Sequence, residues 1–186
     1  MVCLVLGICL FIMLHMFKRV APESHKKLYI ILGHKAYCGL FIFGILFGVI
    51  CIVFGYRISP IVPIYNLPDW AWHFNNFLMI ISVGLFSLTY SKSRLRTLIR
   101  HPMLLGVFFW SVAHLLVNGD VASVLLFCSL GIWAVVEIEL INFSEPDWNI
   151  PNVGGKHQDI KFVILTVIIF VIITLAHSFL GVYPFP

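Results

Sequence analysis

Long, nearly charge-free apolar stretches constrain this chain more than any single residue does. They recur at Val2–Phe17, Ala36–Tyr56, Trp72–Tyr90, Pro102–Val117, Val121–Ile141 and Ile160–Gly181, with short polar segments between them. A helix crosses a bilayer with about 20 predominantly apolar residues, because no water is there to satisfy an open backbone. The expected fold is therefore all-α: an integral membrane bundle of six transmembrane helices, with residues 1–186 forming one domain. Apolar residues make up 61% of the chain and charged ones 11%. Soluble domains carry about 25% charged residues, so no soluble catalytic domain fits beside the spans. The basic residues sit at span edges rather than in a patch. The expected partner surface is thus the lipid bilayer, not nucleic acid.

The basic residues also suggest an orientation. The segments after spans one, three and five hold five, four and two of the twelve Lys and Arg, counting Lys161 just inside span six. Only Arg57 follows span two, and none follows span four. Cytoplasmic loops carry the excess of Lys and Arg, which predicts both termini on the non-cytoplasmic side. No basic residue precedes the first run, so it reads as a retained span rather than a cleaved signal. The five cysteines are scattered through apolar runs without a Cys-x-x-Cys pair, and read as packing residues.

Within the spans, two kinds of pattern stand out. Gly44, Gly48, Cys51 and Gly55 form a small-residue stripe suited to close helix packing. Asn75, Ser82 and Thr89 repeat at seven residues, and Thr166, Phe170, Thr174 and His177 share one helical face. The segment Lys18–Lys35 reads as a polar loop. Arg57–Ala71, with prolines at 60, 63 and 68, reads as a non-helical cap at the interface, and Asn118-Gly119-Asp120 reads as a tight turn. The tail Val182-Tyr183-Pro184-Phe185-Pro186 is short and aromatic.

His15, His114 and His177 are each embedded in an apolar run, where an ionisable side chain is costly and marks a candidate site. The simplest account is a neutral imidazole hydrogen-bonded across helices. The functional account is axial ligation of a b-type heme, since neutral imidazole binds iron well and an apolar shell suits a porphyrin. Ser111, His114 and Asn118 line one helix face, Trp110 adds an aromatic wall, and His101 lies at the mouth of the span. Asn118, one turn beyond His114, is placed to accept a hydrogen bond from that ring. By depth alone, His114 belongs with His177 and His15 with His101.

Arg100-His101-Pro102, Gly106, Trp110, Ala113-His114-Leu115 and Asn118-Gly119-Asp120 together resemble the signature of the NnrU family. The likeness extends to Leu14-His15, Ala176-His177 and Gly181-Val182. The resemblance implies a small multi-span protein of the bacterial inner (cytoplasmic) membrane, linked to nitrite and nitric oxide reduction in denitrification. A membrane redox partner is implied with it. The same domain resembles 15-cis-zeta-carotene isomerase, a b-heme protein, which implies His15 and His114 as axial ligands, with His177 and His101 in reserve. That isomerase has a cysteine three residues before the second ligand, where this chain has Ser111.

A second likeness is to membrane methyltransferases that use S-adenosylmethionine, through Arg100-His101-Pro102, Trp110, and Glu137 with Glu139. Here the spacing departs by one residue before the tryptophan, and the acids are not adjacent. The remaining readings are a carotenoid isomerase-like enzyme and a non-catalytic assembly partner. Apart from that likeness, the two glutamates read as a hydrated helix end, paired to Arg94, Arg96 or Arg100 across the interface.

Overall fold

A computed structural model describes residues 1–182 of the chain. It contains six α-helices and no β-strand among the described residues. They are α1 (Val2–Val20), α2 (Pro22–Arg57), α3 (Trp70–Thr89), α4 (Pro102–Leu115), α5 (Val121–Ser144) and α6 (Lys156–Phe179). A 3₁₀ turn, Arg94–Thr97, lies between α3 and α4. The aromatic tail beyond Val182 lies outside the described residues.

Five of the helices are long and apolar enough to cross a membrane. The fourth expected span is shorter: α4 has 14 residues, about 21 Å at 1.5 Å per residue, against about 30 Å of hydrocarbon. Its two ends are nevertheless tied to opposite ends of the bundle. His101, at its start, donates from Nε2 to Asn142 Oδ1 at the far end of α5 (2.8 Å). Gly119, just past its end, accepts from the backbone N–H of Ile64 (2.7 Å) and Tyr65 (3.2 Å). The non-helical turns thus make up the length that α4 lacks.

One expected loop is a helix instead. Lys18–Lys35 was expected to be a polar loop, yet α1 continues to Val20 and α2 begins at Pro22 after the single residue Ala21. Pro22 suits a first helical position, where its missing N–H has no partner to lose, and Glu23 complements the helix dipole. The break comes later, at Gly33, with φ 72° and ψ 163°. A side chain at that φ is strained, so glycine permits a kink between the basic first turns and the apolar span. Elsewhere the start of α3 (Trp70), the end of α5 (Ser144) and the start of α6 (Lys156) run two to four residues past the hydropathy edges, while α3, α4 and α6 end one or two residues short of theirs.

The small-residue stripe on α2 packs on α1 as expected. A Cβ on Gly48 would sit 3.4 Å from the Gly7 carbonyl oxygen, and one on Gly7 would sit 2.7 Å from the Ile52 nitrogen. Cys3 Sγ donates to the Cys51 carbonyl at 3.5 Å, and all five cysteines are free thiols. The central core joins α1, α2 and α5 through Leu4, Ile8, Ile52, Leu126, Phe127 and Leu130.

The end of α1, the segments after α3 and α5 and the start of α6 gather at one end. Arg94 pairs with Asp159 at 2.6 Å, Lys18 with Glu145 at 3.7 Å, and Gly154 donates its N–H to the Lys92 carbonyl at 2.8 Å. At the other end, the proline-rich segment between α2 and α3 lies over the α4–α5 turn, as an interfacial cap. The Val121 N–H reaches the Val62 carbonyl (2.9 Å), and the Tyr65 hydroxyl donates to the Leu115 carbonyl (2.5 Å), one of the open carbonyls that end α4. Gly119 is required there, since a Cβ would run into the Tyr65 carbonyl. Asp120 caps α5 by accepting from the N–H of Ala122 (3.0 Å) and Ser123 (3.1 Å).

Candidate functional site

A cavity of about 290 Å³ lies at the end of the bundle away from the basic loops. Its α4 wall is His114, Val117 and Asn118; its α6 wall is Phe170, Ile173, Thr174 and His177. Trp72, Asn75, Asn76 and Met79 of α3 floor it, and Tyr56 and Phe127 close it from α2 and α5. The helix periodicity explains the gathering: Phe170, Thr174 and His177 recur on one face of α6, which packs along α3.

His114 is held from three directions. Its Nδ1–H donates to the Trp110 carbonyl one turn back, at 2.9 Å. Trp110 and Phe127 flank the ring, with centroids at 5.0 and 4.7 Å. His177 is held alike, its Nδ1–H donating to the Ile173 carbonyl at 2.8 Å. It lies within Coulombic reach of His114. In both rings a backbone carbonyl engages Nδ1, so Nε2 keeps its lone pair. Metal-binding histidines commonly have their second nitrogen engaged in this way.

The other expected residues fall into different surroundings. Asn118 lines the cavity, but it does not accept from the His114 ring; its Nδ2 donates to the His114 backbone carbonyl at 2.9 Å. The Trp110 carbonyl, one turn back on the same helix, takes the ring N–H instead. Trp110 stands behind His114 rather than in the cavity wall, edge-on to Phe127 at 4.9 Å. Ser111 is buried at the α4–α5 seam, where a Cβ on Gly131 would lie 3.1 Å from its Cβ. His101 is engaged with Asn142.

His15 lies outside this cavity. Its Nδ1–H donates to the Phe11 carbonyl at 2.8 Å, and its ring meets Trp133 of α5 at 5.2 Å. Trp133 is six positions from Phe127, about 9 Å along the helix axis. His15 and His114 therefore face different levels of α5, whereas His114 and His177 share one cavity. Among the described residues, no three His, Cys, Asp or Glu side chains converge as a metal-holding group.

The chain is matched by the NnrU protein family over residues 3–184. It belongs to the NnrU family. Neither curated proteins nor solved structures give a match to it. In this NnrU protein the motif residues serve two ends of α4. Arg100 donates to the Glu145 and Pro146 carbonyls, which fixes the basic end, while Asn118-Gly119-Asp120 forms the turn that borders the cavity.

The residues that resemble a methyltransferase do not gather. Arg100 serves the backbone after α5, Glu137 pairs with Arg19 at 2.5 Å, and Glu139 is exposed. The expected pairing of the glutamates with Arg94, Arg96 or Arg100 is also replaced. Arg94 binds Asp159, and Arg96 binds the Ile99 carbonyl. Nothing in the local spacing linked Arg19 to Glu137, because the two are 118 positions apart. Asn75 had a signal, the seven-residue stripe. With its amide oriented so that the nitrogen meets an acceptor, Asn75 donates to the Ala113 carbonyl at 2.9 Å, which ties α3 to α4 beside His114.

Proposed function

We propose that this NnrU protein carries one b-type heme in the α3–α6 cavity, with His114 and His177 as the histidines that hold it. The proposed role is electron transfer linked to nitrite and nitric oxide reduction, with a membrane redox partner. One observation carries the reading: imidazoles from two helices line one largely apolar cavity, each with Nδ1 engaged and Nε2 without a hydrogen-bond partner among the described residues. The donor chemistry fits the group, because neutral imidazole is a common axial ligand and an apolar surround suits a porphyrin. When bound, the heme would supply one-electron redox chemistry. The protein's own share is to fix the two rings, through Trp110 and Ile173, and to exclude water with Phe127, Phe170 and Trp72.

The proposed setting is a bacterial inner membrane, with the basic end in the cytoplasm. The cavity then lies in the outer half of the bilayer and both termini face outward. Detergent-purified protein tests the cofactor directly. A Soret band, abolished in His114→Ala and shifted or abolished in His177→Ala but kept in His15→Ala, supports the reading. A band lost in His15→Ala and kept in His177→Ala restores the pairing that the isomerase likeness implies. Protein expressed with ample heme yet without any Soret band refutes heme binding.

A further inference from the structure

We propose that His15 and Arg19 of α1, facing Trp133 and Glu137 of α5, form a binding site for a single water molecule that bridges the two helices. The site is separate from the His114 cavity and independent of any cofactor there. Each helix contributes two residues one turn apart, so the two pairs meet as opposed faces. Arg19 Nη1 and Glu137 Oε1 make the direct contact at 2.5 Å, and the rings of His15 and Trp133 meet at 5.2 Å. His15 is also within Coulombic reach of the Glu137 carboxylate.

The direct pair leaves much of this cluster's hydrogen-bonding capacity unused. Arg19 Nε, Trp133 Nε1 and Glu137 Oε2 are buried and find no partner among the described residues. Glu137 and Trp133 are 4% and 7% exposed, so bulk water does not serve them. His15 Nδ1–H is taken by the Phe11 carbonyl, which leaves its Nε2 as an acceptor. The buried open nitrogens thus offer two N–H donors, Arg19 Nε and Trp133 Nε1, opposite two acceptors, Glu137 Oε2 and His15 Nε2.

That balance selects the occupant. An anion would face the carboxylate, and a cation would face the guanidinium. A neutral molecule that both donates and accepts satisfies every open atom, and buried waters typically make about three such bonds. Water held there keeps the ion pair hydrogen-bonded while it links α1 to α5. Without it, Arg19 Nε, Trp133 Nε1 and Glu137 Oε2 would stay unpaired in an apolar seam.

The test uses the full chain in lipid nanodiscs with nitrogen-15-labelled tryptophan. The Trp133 indole signal is assigned through Trp133→Phe. The expected result is a cross-relaxation peak between the Trp133 Nε1 proton and a long-lived water, lost in the Arg19→Met/Glu137→Met double variant. That variant replaces the buried pair by apolar side chains, a change that buried pairs commonly tolerate without unfolding. An indole with no water peak in the unaltered protein overturns the proposal. So does a water peak of equal strength in the double variant, or a peak to lipid or buffer protons instead of water.

Discussion

The Arg19–Glu137 pair yields the sharpest stability prediction, because burial sets its sign. The side chains are 18% and 5% exposed, and the nitrogen–oxygen distance is 2.5 Å. Removing one partner of such a buried pair leaves the other charge uncompensated, at a cost of about 3–5 kcal/mol. The two single variants are unequal. Arg19 lies near the basic end of α1 on a long flexible stem, so in Glu137→Met it reaches toward water and softens the loss. In Arg19→Met the carboxylate, on the shorter stem of a residue only 4% exposed, stays buried, and this variant is expected to be the less stable. The double variant Arg19→Met/Glu137→Met removes both desolvation penalties and is expected within about 1 kcal/mol of the unaltered protein, or above it. The exposed pair Lys18–Glu145, at 3.7 Å with side chains 62% and 52% exposed, is the internal control. Its disruption by Lys18→Met is expected to change stability by about 0–1 kcal/mol. Reversible unfolding in mixed micelles, followed by circular dichroism, measures all four. A double variant as unstable as the two singles added together would refute the reasoning, as would single variants no worse than Lys18→Met.

The α1–α2 seam gives a second expectation. A Cβ at Gly55 would lie 2.7 Å from Leu4 Cα and 2.9 Å from the Cys3 carbonyl carbon, both backbone atoms that cannot swing aside. Gly55→Ala is expected to cost about 1–3 kcal/mol, the range for overpacking, whereas Gly39→Ala meets nothing within 4 Å and is expected to be neutral or slightly stabilising in the same unfolding assay. The third concerns Tyr65 in the cap between α2 and α3. Burial pushes its phenol above the ordinary value, with Cys128 and Asp120 adding to the shift. A raised acid binds its proton more tightly when folded. Its contribution is therefore complete below the unfolded value of about 10 and is lost as pH rises from there through the folded value. Melting temperature is expected to be insensitive to this group from neutral pH to about 10 and to fall above it. In Tyr65→Phe that alkaline loss should shrink, while stability at neutral pH drops by about 1 kcal/mol with the hydrogen bond to Leu115.

How much was legible in the sequence divides along a physical line. Local periodicity showed the α6 face of Phe170, Thr174 and His177, the glycine stripe of α2 and the turn after Asn118, because each depends on residues within a few turns of one another. The basic first turns of α2 were hidden, since a helix at a membrane interface can be polar and carries no apolar run to betray it. The partner of Glu137 was hidden for another reason. Arg19 is near in space and 118 positions away in sequence, so no spacing rule connects them. Depth reasoning placed His114 with His177, because helix rise converts sequence position into level along the bundle. The shared cavity agrees with that placement, but His15 and His101, which depth also paired, meet α5 nine positions apart, at Trp133 and Asn142.

The cavity's two histidines sit on walls of very different firmness, and this bears on how a cofactor would be received. The α4 wall is fixed at both ends: His101 is tied to Asn142, and Gly119 to the cap over the turn. Ala113 beside His114 is fully buried, and Asn75 holds its carbonyl from α3. By contrast, α6 has no buried residue among those described, and packs chiefly along α3. It is pinned at the basic end, where Asp159 accepts from the Ser93 hydroxyl (2.8 Å) and the Arg94 N–H (2.9 Å). The His177 end, some 18 positions away and thus about 27 Å along the helix, has no comparable anchor among the described residues. The cavity's 290 Å³ is at the lower edge of the range of about 300–1,000 Å³ for ligand sites. Widening it by moving the unpinned end of α6 exposes little apolar area, whereas moving α4 would break the cap, the Asn75 bond and the α5 seam together. Were the proposed heme bound, His114 would be the fixed ligand that sets its position, and His177 the ligand on the more adjustable wall.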